Sequence, residues 1–259
     1  MTALDILIAV IAGGLIGFSM GTVGGGGALL AVPVLVYGLK QTPLQATTGS
    51  LLVVGGTALL GSLVAHAQRR VDWRQGLLFG AAAIAGAALG SLAAQLVPGN
   101  VLMILFSALM VYVSSTMIRK LVRTRRSPAA DTPAWPLVLA VATVVGFLTG
   151  FLGVGGGFMI VPALTLVLGV DMRRAAGTSL VVIAITSAAA LATRLLGDPE
   201  TLQPQWASIL VLLGVGAVGL LVGAAVVARA NNRQLSVGFA ALVTAVAIYS
   251  TVQSVAALL

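Results

Sequence analysis

The chain consists of long apolar runs separated by short polar stretches, and the runs have the length of membrane-crossing helices. A run of about 18 apolar residues spans a hydrocarbon core of about 30 Å at 1.5 Å per residue. On that measure, helices are predicted at Leu44 to Ala65, Trp73 to Val97, Val101 to Ile118, Ala175 to Leu196, Trp206 to Val227 and Leu235 to Leu258. Two further regions, Ile6 to Leu39 and Pro136 to Gly169, are too long for one crossing and are interrupted by glycine. Each reads as a broken pair, split at Gly21-Thr-Val-Gly-Gly-Gly-Gly27 in the first and at Gly150-Phe-Leu-Gly-Val-Gly-Gly-Gly157 in the second. The apolar stretch after each break is long enough only for a half-length helix.

The two broken regions are copies of one another. Placing Pro162 over Pro33 also matches Gly146 with Gly17, Gly150 with Gly21, Gly153 with Gly24 and Gly156 with Gly27, and the register runs on to Ser179 over Ser50 and Thr186 over Thr57. After a longer loop at Gly197-Asp-Pro-Glu-Thr201, Trp206 falls on Trp73, Gly219 on Gly86, Gly223 on Gly90 and Phe239 on Phe106. Ungapped agreement of glycine, proline and serine positions indicates an internal duplication.

Composition fixes the solvent. Of 259 residues, 59% are hydrophobic and 8% charged, far from the quarter or so of charged residues that keeps a soluble surface wet. The net charge of +8 would raise nucleic-acid binding in a soluble chain. Here the basic residues cluster in loops, as on the cytoplasmic side of a membrane protein. Arg69, Arg70 and Arg74, then Arg119, Lys120, Arg123, Arg125 and Arg126, then Arg173 and Arg174, and finally Arg229 and Arg233 mark cytoplasmic loops; Asp198 and Glu200 mark an external one, and Lys40 is an exception. Each broken region then begins and ends on one face, each half makes an odd number of net crossings, and both termini lie outside. The expectation is an all-α polytopic membrane protein of two inverted repeats, each a Gly-broken helical hairpin plus three transmembrane helices. Residues 1–120 form the first repeat, 121–134 a basic cytoplasmic linker and 135–259 the second.

Candidate chemistry sits at the breaks. Unwound backbone is tolerated at membrane depth only where protein or water satisfies its polar groups, and a half-helix starting there would aim N–H groups and a positive dipole end inward, which suits an anion. Gly25, Gly26 and Gly27 with Gly155, Gly156 and Gly157 would supply backbone donors. The next helix of each half opens with small polar residues, from which Thr48, Ser50, Thr178 and Ser179 would supply hydroxyls; the alternative is that these cap the helices or bond to their own backbone. Thr57 and Thr186 line the same path or pack between helices. His66 and Trp73, Trp135 and Trp206 read as interfacial residues. Arg194 reads as snorkelling toward Asp198 or as part of an anion funnel. The Gly86-x-x-x-Gly90 and Gly219-x-x-x-Gly223 motifs read as packing within the chain, with a homodimer face left open.

No Cys, a single His and no Asp or Glu inside a predicted span except Asp5 leave no catalytic, metal or cofactor set and no midplane carboxylate relay. A P-loop is not formed either, since Ala28 and Phe158 follow the glycines.

The segments GFSMGTVGGGGALLAVPVL and GFLTGFLGVGGGFMIVPAL, with the paired TTGS and GTS starts, resemble the two signature segments of the TauE/SafE family of sulfite exporter-like, 4-toluene sulfonate uptake permease-like membrane transporters. The resemblance covers nearly the full length. It implies transport of small anions, often sulfur oxyanions or organosulfonates; the first copy departs in having Ala28 where the second has Gly157. The expected function is a secondary transporter, an exporter of an anion such as sulfite or sulfoacetate working by alternating access, with a passive anion channel as the alternative. Its partners would be the substrate anion and the lipid bilayer, with no nucleic acid. The Ala, Gly and Arg bias points to a bacterial inner membrane.

Overall fold

The computed structural model describes residues 3–122, 135–153, 157–166, 168–197, 205–227 and 229–256, and no strand occurs among them. Helix α1 (Ala3–Val23) ends in a tight 3-10 turn, Gly24–Gly27, followed by a short α2 (Ala28–Pro33) that widens into a π turn, Val34–Gly38. The long helices α3 (Pro43–Ala67), α4 (Trp73–Gln95) and α5 (Gly99–Val122) complete the first half. The second half repeats the order as α6 (Trp135–Leu152), α7 (Gly157–Leu166), α8 (Met172–Gly197), α9 (Trp206–Val227) and α10 (Asn232–Ala256). Six described helical stretches are long and apolar enough to cross a membrane, with α1 counted together with its continuation to Gly38.

Local chemistry sets the helix starts. Thr42 caps α3 in a reciprocal capping box with Gln45, and Pro43 occupies the first turn, where its missing N–H costs nothing. Asp72 caps α4 through the N–H of Gln75 (3.1 Å), and Asn231 caps α10 through that of Gln234 (2.8 Å). Large side chains such as Leu59, Leu89, Leu210, Val218 and Ile248 stay exposed along the helices, as expected where the surrounding solvent is hydrocarbon.

The halves are interleaved. Helix α1 packs on α9 and α6 on α4, so each half's first helix lies against the other half's fourth. The approach is close because the contact positions lack side chains. A Cβ on Gly17 would strike the Gly216 carbonyl, and one on Gly146 that of Ala83; Gly219 and Gly223 rest on the backbone of Gly14 and Phe18, as Gly86 and Gly90 rest on that of Thr143 and Phe147. Both small-residue motifs are thus used within the chain. The register shows that α1 and α9 run parallel, as do α4 and α6. Helices α3 and α8 meet antiparallel, Gly55 beside Ser187 and Gly61 beside Leu180, and are the most enclosed of the six spans. Antiparallel α5 and α10 are joined by hydroxyl pairs, Ser107 with Ser250 and Ser114 with Thr244, both 2.8 Å.

The first broken region is a hairpin. Gly27 lies against Ile16 and Met20, and Gly38 lies against Ile8, so the chain returns along α1 to the level at which it began. There the N–H of Gln41 reaches back to the Leu35 carbonyl (3.0 Å), and the second half repeats this bond from Val170 to Leu164 (3.0 Å). The turn residue is Gly169 at φ 65° in the second half but Lys40 at φ 52° in the first. A side chain in this left-handed region costs about 1 kcal/mol. Thermal unfolding in detergent should therefore find Lys40→Gly more stable by about that amount; a lowered midpoint would mean that the lysine side chain makes a stabilising contact.

Candidate functional site

The small polar residues at the start of α3 and α8 do not cap those helices. Thr42 caps α3, and the TTGS and GTS segments lie one to two turns inside, buried. Their hydroxyls bond first to their own helix: Thr47 to the carbonyl of Leu44 (3.0 Å), Ser50 to that of Thr47 (3.0 Å) and Ser179 to that of Ala176 (2.9 Å). Thr57 and Thr186 likewise bond back to Val53 (2.7 Å) and Val182 (2.9 Å). What separates the two serines from ordinary back-bonded hydroxyls is a second partner across the molecule. Ser50 also reaches the carbonyl of Gly153, and Ser179 accepts the N–H of Gly25 at 3.2 Å.

These contacts join each central helix to the glycine break of the opposite half. Gly24 at φ 68° and Gly153 at φ 63° turn the chain in a conformation that side chains rarely adopt, and they press on Ala176 and Thr47 respectively. Beyond the turns the two tips meet: a Cβ on Gly25 would run into the Gly157 backbone, and one on Gly157 into Gly25 and Ile183. Ile183 is close to the middle of α8, so the tips cross level with the middle of that helix. Gly27 backs onto α1, whereas Gly26 faces the side chains of Phe239 and Leu242 at 3.2–3.3 Å. Gly155 and Gly156 lie outside the described residues. Of the other expected site residues, the structure brings Gly25, Gly157, Ser179 and Ser50 to the crossing hairpins. Thr48 and Thr178 sit to either side, and Thr178 accepts the N–H of Asp72 at 2.9 Å.

Arg194 departs from its expected place. Instead of snorkelling outward it is fully buried. It continues the buried stripe of Ile183, Ser187 and Ala190 on α8, so the same helical face that packs the core carries it inward. Its Nη1 donates to the hydroxyls of Thr47 (2.9 Å) and Thr48 (2.8 Å), its Nε to Ser91 (3.1 Å) and its Nη2 to the carbonyl of Gly150 (3.3 Å). Four helices, α3, α4, α6 and α8, converge on one guanidinium. Its expected partner Asp198 lies outside the described residues. The hydroxyls and carbonyl satisfy N–H groups without cancelling the charge, and a charge held within a membrane protein costs several kcal/mol, which makes it a marker of function. A second arginine, Arg70, is 6% exposed in the α3–α4 turn at the other end of α8, and its backbone rests on Gly177.

His66 and Trp73, at the α3–α4 turn, bond to each other. The indole Nε1 of Trp73 donates to His66 Nδ1 at 2.8 Å, and both residues are exposed. Among the described residues no cluster of His, Asp or Glu could hold a metal ion.

Comparison with known proteins identifies relatives along nearly the whole chain. The family model described as Sulfite exporter TauE/SafE matches residues 9–250. The chain is 32% identical over 252 residues to a "probable membrane transporter protein" of Xylella fastidiosa strain Temecula1, covering 96% of each chain. It is 35% identical over 191 residues to a protein of the same description from strain 9a5c, covering 71% of each. A Bacillus subtilis protein of that description is 30% identical over 199 residues, 66% of this chain and 73% of its own. No solved structure matches. With both glycine breaks, both serine bridges and the interleaved helices inside the matched region, the chain is a multi-pass membrane transporter, not an enzyme, and it belongs to the TauE/SafE sulfite exporter family.

Proposed function

We propose that the protein is a secondary transporter in the cell inner membrane that exports a small sulfur oxyanion or organosulfonate, such as sulfite or sulfoacetate, by alternating access between two inverted repeats. The observation that carries the anion is Arg194: a fully buried guanidinium held by three hydroxyls and one carbonyl offers a fixed positive charge that an anion would neutralise. Inversion is supported by helix directions, since the matching helices α3 and α8 run antiparallel, as do α5 and α10, while α1 pairs with α9 as α6 pairs with α4. It is also supported by the loops. The basic turns gather at one face around Arg70 and Arg173, and at the other Gln41 meets Gln205 (3.4 Å) and Pro43 meets Gly99. The positive-inside rule makes the basic face cytoplasmic.

In this reading the crossed tips are the closed barrier. Ser179 and the Gly25 N–H satisfy each other, and Ser50 and the Gly153 carbonyl do the same. An anion arriving between the tips would take donors from Gly25, Gly26, Gly27, Gly155, Gly156 and Gly157 and from Thr48, Ser50, Thr178 and Ser179, separating one hairpin from the opposite central helix and opening one face. Proteoliposomes loaded with unlabelled sulfite should transiently accumulate labelled sulfite by counterflow. Ion currents without counterflow would instead indicate a passive pore and overturn alternating access.

A further inference from the structure

The basic face holds a second feature that the crossed hairpins do not account for. The α3–α4, α7–α8 and α9–α10 turns enclose a cleft of about 570 Å³ lined by Arg69, Arg70, Arg173 and Arg174 together with Asp171 and Asn232. The local fold forces these charges together. Arg69 sits at φ 53°, its N–H bonded to the His66 carbonyl (2.8 Å) and that of Arg70 to Ala65 (2.9 Å). This is the helix-ending turn usually made by glycine. It throws Arg70 back beneath the end of α3, where its Nε donates to Gln68 Oε1 at 2.8 Å. From the other wall the Nη2 of Arg173 donates to the Val227 carbonyl at 3.0 Å. The Asn232 amide donates to Asp171 Oδ1 at 3.2 Å.

Among the described residues, four arginines and one carboxylate line this cleft. Burial, and after it the charge of Arg173, push Arg70 down to about 10, so it remains protonated at neutral pH in spite of its neighbours. Solvated positive-inside arginines would spread apart and need no burial. Like charges drawn together in a cleft raise the local concentration of anions. The first turn of α8 supplies Arg173 and Arg174 to the lining, and the next turn packs on the α3–α4 turn: a Cβ on Gly177 would lie 3.1 Å from the Cβ of Arg70, and the N–H of Asp72 donates to Thr178. The next residue, Ser179, holds the hairpin tip through Gly25.

We propose that this arginine cleft is the loading site on the basic face, binding a small free sulfur oxyanion before it passes along α8 to the hairpin tips. The loading role rests on the transport reading above; the anion site itself does not. The cleft and Arg194 then stand at opposite ends of α8, one positive station on each side of the barrier.

The test uses the full chain in nanodiscs of phosphatidylcholine alone, titrated with sulfate and with sulfite while thermal stability is followed. Arg194→Gln removes the core charge, so the response that persists in it reports the cleft. Arg70→Gln should raise the half-saturating concentration roughly tenfold, as for loss of one charge-assisted hydrogen bond. Because Arg70 is buried, the exposed pair Arg69→Gln with Arg174→Gln provides a second variant, and the same direction of change is expected. In proteoliposomes the cleft variants should raise the half-saturating sulfite concentration at the basic face and leave the opposite face unchanged. Affinities equal to the parent's in both cleft variants would overturn the proposal. So would stabilisation that appears only when phosphatidylglycerol is added to the disc, which would assign the cleft to a lipid headgroup. Sulfate binding that depends on the cleft arginines, in a protein that moves no anion, would keep the site and remove its loading role together with the transport reading.

Discussion

Arg194→Met should abolish anion transport while leaving the folded protein at least as stable as the parent. The two halves of that expectation come from different physics. Burying a guanidinium carries a desolvation cost that its described neutral partners, Thr47, Thr48, Ser91 and Gly150, only partly offset, and relief of that cost balances the hydrogen bonds lost with an apolar side chain. Thr47 keeps its bond to Leu44 after the change, so not every hydroxyl is orphaned. An anion, by contrast, loses its one charged partner at the α3 start. Loss of a charge-assisted interaction of about 2.7 kcal/mol corresponds to about a hundredfold in affinity, and transport at micromolar substrate should fall by at least that factor. A purely structural arginine predicts the reverse pattern: a lowered unfolding midpoint, with normal transport per folded molecule. Arg194→Lys, which keeps the charge but loses the planar fork, should recover part of the transport.

The second large effect concerns two adjacent glycines whose surroundings differ. Gly25→Ala should be severely destabilising, because its Cβ would overlap the Gly157 backbone where two hairpin tips cross and neither can retreat without breaking the bond from Gly25 to Ser179. Overpacking a rigid contact costs about 1–3 kcal/mol, and loss of a buried hydrogen bond adds about 1–3 kcal/mol. Gly26→Ala meets only the side chains of Phe239 and Leu242 at 3.2–3.3 Å, which can give by a few tenths of an ångström, so its cost should stay below about 1 kcal/mol. Unfolding in detergent compares the two directly. Equal behaviour would mean that the tips do not cross at Gly25.

Much of this architecture could be read from residue order because lipid imposes a simple rule. An apolar run must be long enough to span, so Trp206 to Val227 is the same helix in sequence and structure, and the other long helices differ by a few residues at their ends. The glycine breaks were legible for the same reason: a turn at membrane depth needs positive φ, which Gly24 and Gly153 adopt. The pairing of helices was not legible. Gly86 and Gly90 announce a close neighbour but not that it is α6, because backbone approach leaves no partner-specific mark on sequence. Arg194 was misread because the charge rule for helix ends takes no account of helical face. The available signal was its spacing from Ile183, Ser187 and Ala190, all small or apolar and all buried. Arg70 was visible only as a basic loop residue, since the inward turn depends on Arg69 adopting a conformation usually left to glycine.

The measurement that bears most directly on the central claim is anion-induced thermal stabilisation of the purified protein, with sulfite, sulfate, sulfoacetate and matched carboxylates compared across the parent, Arg194→Met and the paired cleft variant. A ligand bound only by the native state must raise its apparent stability. The account predicts a selective response to sulfur oxyanions in the parent, loss of the tighter component in Arg194→Met, and retention of that component when the cleft arginines are changed. A response unaltered by Arg194→Met, or one given by carboxylates and not by sulfur oxyanions, would contradict it.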